Sequence, residues 1–217
     1  MSDDAKKSAK KGIGYLAILL GGFATLAASL LIAGNAYTHT EIKKRLMEDT
    51  QRSLSQVIPS DIHDNNLLND KITVKDDHRD IDVYRAMMND KVVAVAYQTV
   101  GQGYGGQILI IMGVKTDGSI LGVRVLSHSE TPGLGDRIEE KKSRWIYSFN
   151  GHSLDNTTSA QWAVKKDGGI FDQFSGATIT PRGVVKAVKE GLIFFKTNHD
   201  VLISVGKEMI KTDKDSK

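Results

Sequence analysis

The sequence predicts an α+β protein with a single N-terminal transmembrane helix followed by one domain, an antiparallel sheet with flanking helices. Three observations carry this expectation. Residues 12–36 hold no charged side chain. Between residues 82 and 127, runs rich in Val, Ile and Ala alternate with short turns of Asn, Asp, Thr and Gly. From Pro181 to Lys196 the apolar residues return at helical spacing.

The first run, GIGYLAILLGGFATLAASLLIAGNA, extends from Gly12 to Ala36. At about 1.5 Å per residue it exceeds the roughly 30 Å hydrocarbon thickness, with room for tilt. A secretory signal has a shorter apolar core of about 7–15 residues, although Gly34 and Ala36 suit a cleavage site. The length therefore favours an uncleaved anchor over residues 12–36. Lys6, Lys7, Lys10 and Lys11 precede the run. Lys43, Lys44, Arg45 and Arg52 follow it farther away, among Glu41, Glu48 and Asp49. This asymmetry places the N-terminus, residues 1–11, in the cytoplasm and the domain, residues 37–206, outside. Residues 207–217 form a charged tail.

Thr40 to Ile58 has helical spacing, with Thr40 as its cap and Ile42, Leu46, Leu54, Val57 and Ile58 on one side. Pro59 stops it. Ser60 to Asp80 is rich in Asp and Asn and reads as loop, with a short strand at Ile72-Thr73-Val74. Asp82–Met88, Lys91–Val100, Gln107–Val114 and Ser119–Ser127 read as strands. Asn89-Asp90 and Thr116-Asp117-Gly118 supply turns. In the last strand Ile120, Gly122, Arg124 and Leu126 alternate with Leu121, Val123 and Val125. Asp136 to Phe149 has helical spacing, with Asp136 as cap and Ile138, Trp145, Ile146 and Phe149 on one face. Trp162 to Lys165 reads as a short strand before the turn Asp167-Gly168-Gly169. The last helix carries the stripe Val184, Val185, Val188, Leu192 and Phe195.

Composition narrows the chemistry. The 217 residues are 40% hydrophobic and 25% charged, enough for one core with a hydrated face. The formal charge is +3, and the N-terminal lysines supply most of it. A nearly neutral domain has no general attraction for nucleic acid. There is no cysteine, which excludes disulfides, thiolate zinc sites and cysteine-held iron–sulfur clusters. The histidines show no metal-ligand spacing, and no G-x-S-x-G elbow is present.

Three stretches invite a functional reading. Gly101-Gln102-Gly103-Tyr104-Gly105-Gly106 matches G-x-G-x-x-G, but a strand-like run follows where a dinucleotide fold needs a helix. What remains is a glycine-rich strand connection that admits a flat ligand, with Tyr104 available to stack. HSETPGLGDR, residues 128–137, is a tight loop after a strand, a place where ligands are often held. FDQFSGATIT, residues 171–180, ends in Thr180-Pro181, which suits a helix start. That leaves Ser175, Gly176, Ala177 and Thr178, small residues at a helix N-terminus, where backbone N–H groups favour a phosphate.

These stretches resemble a known family. Asp172 to Thr180 looks like the flavinylation motif D-x-x-[ST]-G-A-T of the FMN-binding domain. That domain occurs in the G subunit of the Rnf electron-transport complex and in the C subunit of the sodium-pumping NADH:quinone oxidoreductase. The resemblance also covers Gly101–Gly106, SETPGLGDRI, Val164–Gly169 and the N-terminal anchor, and the ATITPRGVV continuation is more like the Rnf protein. It implies FMN joined through its phosphate to the Thr178 hydroxyl by a separate flavin transferase. It implies that Asp172, Ser175, Gly176 and Ala177 shape the site or are read by the transferase. Glu130, Thr131 and Leu134 would lie against the isoalloxazine, with Tyr104 nearby and Lys165 or Lys166 at the flavin's polar edge. It implies an electron relay in a ferredoxin:NAD oxidoreductase that moves ions across the bacterial inner membrane. Its partners would be membrane and iron–sulfur subunits, with lipid around the anchor and the domain in the periplasm. Two other readings stay open from the residues: a membrane-tethered sensory or binding domain without a cofactor, and the equivalent flavin-bearing subunit of the quinone reductase.

Overall fold

The computed structural model describes residues 3–76 and 79–204. Within the first helix it describes the side chains of residues 15, 18–32, 45 and 47–57. The expected tail at 207–217 lies outside the described residues. The chain divides into two units, Met1–Asp49 and Thr50–Lys217.

In the first unit the chain is helical from Asp3, as part of α1 (Asp3–Val57). Leu20, Leu31 and Ile32 are among its exposed side chains. Among the described residues no helix is long and apolar enough to cross a membrane. The side chains at 12–14, 16–17 and 33–36 of the expected anchor lie outside them. The helix read separately at 40–58 is a continuation of α1 and does not start at Thr40. An N-cap rule reads residue type and cannot see that the preceding segment is already helical.

The second unit is built on a five-stranded antiparallel sheet. Its strands are β1 (Lys71–Asp76), β2 (Arg79–Met88), β3 (Lys91–Gln102), β4 (Gln107–Lys115) and β5 (Ile120–Ser127). Each pairs with its sequence neighbours, in the order β1-β2-β3-β4-β5. Asn89 and Asp90 both have positive φ, 50° and 59°, as a two-residue hairpin turn requires. The three residues read as a short strand at 72–74 prove to be the centre of a full edge strand, the fifth of the sheet.

Both faces of the sheet are covered, which explains why β4 reads as a continuous apolar run. On one face Ile108, Ile110, Met112 and Val114 of β4 join Val95 and Tyr97 of β3 in the larger core. α2 (Ile179–Thr197) lies over them and contributes Val184, Val185, Val188, Leu192 and Phe195. The Tyr97 hydroxyl donates to the Gly191 carbonyl at 2.8 Å, and Thr99 donates to the Ala187 carbonyl at 3.3 Å. These bonds fix α2 along β3. The short α3 (His199–Ile203) follows and buries Leu202.

On the other face Leu54, Val57 and Ile58 meet Ala86, Ala94, Ala96 and Ile111. The sheet residues here are small, so the end of α1 approaches closely. A Cβ on Gly113 would overlap the Val57 carbonyl oxygen. The simple alternation read in β5 does not hold. A register shift opposite Gly113 and Val114 sends Ile120 to the α2 face along with Val123 and Val125, while Leu121 packs on the α1 face.

Between β5 and α2 the chain has little regular structure. The helix read at Asp136–Phe149 is two 3₁₀ segments, Gly135–Ile138 and Trp145–Phe149. Asp136 does not cap the first; Leu134 occupies that position without a side-chain bond. The strand read at 162–165 is a single bridge from Val164 to Phe171, followed by a 3₁₀ turn at Lys165–Asp167. Aromatic packing holds the region together. Phe149 stacks on Phe171 at 4.6 Å between centroids and meets the Trp145 edge at 5.3 Å. Trp145 in turn packs on Phe174 at 5.1 Å. This cluster carries the 171–180 stretch to the N-terminus of α2.

Candidate functional site

The FDQFSGATIT stretch is pinned at its two phenylalanines and exposed at most of the polar residues between and after them. Phe171 and Phe174 are buried, while Asp172, Gln173, Ser175 and Gly176 are exposed. The Trp145 indole donates to the Asp172 carbonyl at 2.8 Å. The Ala177 N–H donates to the Phe174 carbonyl at 3.1 Å, and Gly176 takes φ +80° between them. That positive φ turns the chain sharply into α2 and suits glycine.

Helix α2 begins at Ile179, with Thr178 as the N-cap residue. The expected start at Thr180-Pro181 is therefore corrected by two residues. Thr180 looks like a cap from its place before proline, but its hydroxyl is committed elsewhere: it donates to Glu130 Oε2. Thr178, half-buried, makes no side-chain cap bond. Its carbonyl accepts the Arg182 N–H at 3.3 Å, closing the first turn. The N–H groups of Ile179 and Thr180 have no intrahelical acceptor, and Pro181 has no N–H. A free hydroxyl thus stands beside unpaired donors and the positive end of a helix of 19 residues.

The 128–137 loop packs beside this terminus. A Cβ on Gly176 would lie 3.8 Å from Leu134 Cδ2. Leu134 itself is 45% exposed, and Thr131 is exposed on the same loop. The Thr131 carbonyl accepts the Leu134 and Gly135 N–H groups at 3.1 and 3.2 Å, which makes the loop tight. Glu130 is buried, and its Oε1 accepts the Gly105 N–H at 2.8 Å. The hairpin bearing Tyr104 therefore joins the same place, and Tyr104 is 76% exposed. The structure brings together the three stretches that the sequence singled out.

Of the two lysines, Lys165 Nζ lies 2.6 Å from Asp172 Oδ1, while the Lys166 N–H donates to Gln173 Oε1 at 3.2 Å. Both ends of the Lys165–Asp172 pair are largely exposed, so it orients more than it stabilises. Sequence reasoning passed over two supports. Arg182 clamps Asp167 through two bonds of 2.5 and 2.6 Å, tying α2 to the 165–169 turn. Arg137 lies over the Phe174 ring at 5.6 Å. Nothing local in the sequence marks either, because both partners are distant.

Asp136 is 5% exposed beneath this loop. The Gly133 N–H, and then Lys142 at 3.4 Å, hold its carboxyl below the ordinary aspartate range. A carboxyl with a depressed folded pKa contributes stability above its ordinary value and loses it as pH falls through the folded one. Asp136→Asn is therefore expected to melt below the parent at about pH 7, with the gap closing toward about pH 3. A gap that stays constant across paired thermal melts would contradict this.

A cleft of about 580 Å³ opens elsewhere, between Thr116–Gly118, Ser153–Asp155 and the C-terminal end of α2. None of the site residues lines it. Among the described residues no cluster of three His, Asp or Glu is placed to hold a metal ion.

A family model described as an FMN-binding domain matches residues 103–193, a span that contains Tyr104, Glu130, Thr131, Leu134 and the whole 171–180 stretch. The G subunit of the ion-translocating oxidoreductase complex of Shewanella loihica is 44% identical over 201 residues, covering 90% of this chain and 95% of the relative. Its counterpart in Cereibacter sphaeroides is 46% identical over 188 residues, covering 86% of each. Among solved structures, Shewanella oneidensis NqrC is similar at 29% identity and a TM-score of 0.47, covering 67% of this chain and 73% of that one.

Proposed function

The chain belongs to the family of G subunits of ion-translocating oxidoreductase complexes, and from that premise we propose that it is a flavoprotein relaying electrons through FMN esterified to Thr178. The observation that carries the reading is the Thr178 hydroxyl, unbonded at the N-cap of α2. The residues present fit the group. The helix terminus offers N–H donors to a phosphate, and Gly176 and Ala177 leave room beside it. Leu134 and Thr131 present an exposed surface on which a flat ring can rest.

When bound, the isoalloxazine supplies reversible one- and two-electron chemistry. The chain's own residues do the rest. Thr178 Oγ1 would lose its proton and form an ester with the FMN phosphorus, as a separate flavin transferase breaks the phosphoanhydride of an activated flavin nucleotide and a nucleoside monophosphate leaves; the cofactor could then not dissociate. The first turn of α2 stabilises the phosphodiester charge. Lys165 or Lys166 would stand at the ring's polar edge, Lys165 being oriented by its ion pair with Asp172. Glu130 shapes the site from beneath, through Gly105 and Thr180.

The relatives belong to an ion-translocating oxidoreductase complex, and this chain serves the same kind of assembly. Clusters for the remaining electron steps belong to partner proteins of the complex, because this chain has no cysteine to hold them. The uncharged run at 12–36 supports a single-pass anchor in the bacterial inner membrane, with the domain on the periplasmic side. Expression with an active flavin transferase tests the reading. Intact mass spectrometry should show one FMN increment, and peptide mapping should place it within residues 172–182. A wild-type chain of unmodified mass would overturn the reading and favour a cofactor-free binding domain.

A further inference from the structure

Two glycines of the 101–106 and 130–135 stretches, Gly103 and Gly135, are accounted for by one side chain. A Cβ on Gly103 would run into Glu130 Oε1, and a Cβ on Gly135 would lie 2.6 Å from Glu130 Oε2. These positions are small because a carboxylate is buried between them, at 6% exposure. A buried carboxylate is costly unless its oxygens are bonded. Glu130 meets that need with donors from two other segments: the Gly105 N–H at one oxygen and the Thr180 hydroxyl at the other. Its own N–H donates to His128 Nδ1 at 3.0 Å, which leaves Nε2 as the protonated nitrogen facing Glu139 at 3.0 Å. Thr180 is fully buried, in the same helical turn as Thr178. Residues two apart on a helix point about 200° apart around its axis. Holding Thr180 inward therefore turns Thr178 outward.

We infer that the Thr180–Glu130 hydrogen bond is a latch that sets the rotation of the first turn of α2 and so presents the Thr178 hydroxyl for modification. Thr180 and Glu130 are thereby positioning residues, and the inference rests on the reading that Thr178 carries the flavin. The latch also predicts that two threonines so close together differ in reactivity. One hydroxyl is spent on a buried carboxylate, and the other is free.

The test uses the full chain with Thr180→Val, which keeps the shape and removes the donor, and Thr180→Ser, which restores the donor. The rate of FMN incorporation by the transferase is followed by intact mass, at a temperature where each variant is folded. Thr180→Val should slow labelling about tenfold to a hundredfold, as a small displacement of a reacting group does. Thr180→Ser should stay within about twofold of the parent. Equal rates in all three chains, or equal slowing in both variants, would overturn the latch. A second measurement needs no flavin: hydrogen exchange at the Arg182 amide, which reports closure of the first turn onto Thr178. Thr180→Val should speed that exchange while Thr180→Ser should not, and unchanged exchange in both would likewise overturn it. A parent that takes up no FMN while these exchange differences appear would instead sink the flavin reading and leave the latch standing.

Discussion

On the proposed reading, Thr178→Val should abolish the flavin fluorescence expected of the parent chain on a denaturing gel. The substitution removes the oxygen that would form the ester and leaves nearly the same shape. Thr178 makes no side-chain cap bond, so little stability should be lost with its hydroxyl. The melting temperature should stay within a few degrees of the parent, in the range of substitutions that break no buried contact. Label should not migrate to neighbours. Thr180 is fully buried and committed to Glu130, and Ser175 lies on the exposed loop before the helix terminus. Thr178→Ser should keep the covalent flavin at reduced yield, since the oxygen remains while the methyl group that restricts χ1 is gone. Full fluorescence in the valine variant would place the attachment elsewhere.

The largest loss of stability is expected from Phe149→Ala. Phe149 is fully buried where the irregular 128–178 segment must hold itself together without a helix or sheet of its own. It stacks on Phe171 and Trp162 and takes the edge of Trp145. Truncation of a buried Phe costs about 3–5 kcal/mol. For a domain of this size each kcal/mol shifts the midpoint by about 2–4 °C, so the drop should be on the order of 10 °C. Phe149→Leu, which keeps much of the volume, should lose markedly less in the same thermal melt. A midpoint unchanged by the alanine would mean that the aromatic cluster does not hold the segment.

The sheet was readable because its turns are local. Asn89-Asp90 and Thr116-Asp117-Gly118 announce hairpins whose partners lie a few residues away. The edge strand β1 was harder, since Lys71, Lys75 and Asp76 dilute its apolar core, as suits an edge facing water. The 3₁₀ segment at Trp145–Phe149 imitates a helix because the three-residue spacing, as between Ile146 and Phe149, occurs in both. From the residues alone the site was readable as three motifs, and only the family resemblance put them around one ligand. No pattern near Thr180 reveals that its hydroxyl reaches Glu130, fifty residues earlier. A cap rule therefore chose the wrong threonine as the helix start, while family resemblance chose Thr178 as the reactive one.

The strand order has a kinetic consequence. Every ladder in the sheet joins neighbours in the chain, whereas the site joins residues near 105, 130 and 180. Short loops close at the lowest entropic cost, so the hairpins form early and α2 docks late. The bond between Thr180 and Glu130 can exist only after that docking. On the proposed reading, a prosthetic group at Thr178 would be added to a chain in which α2 has already docked.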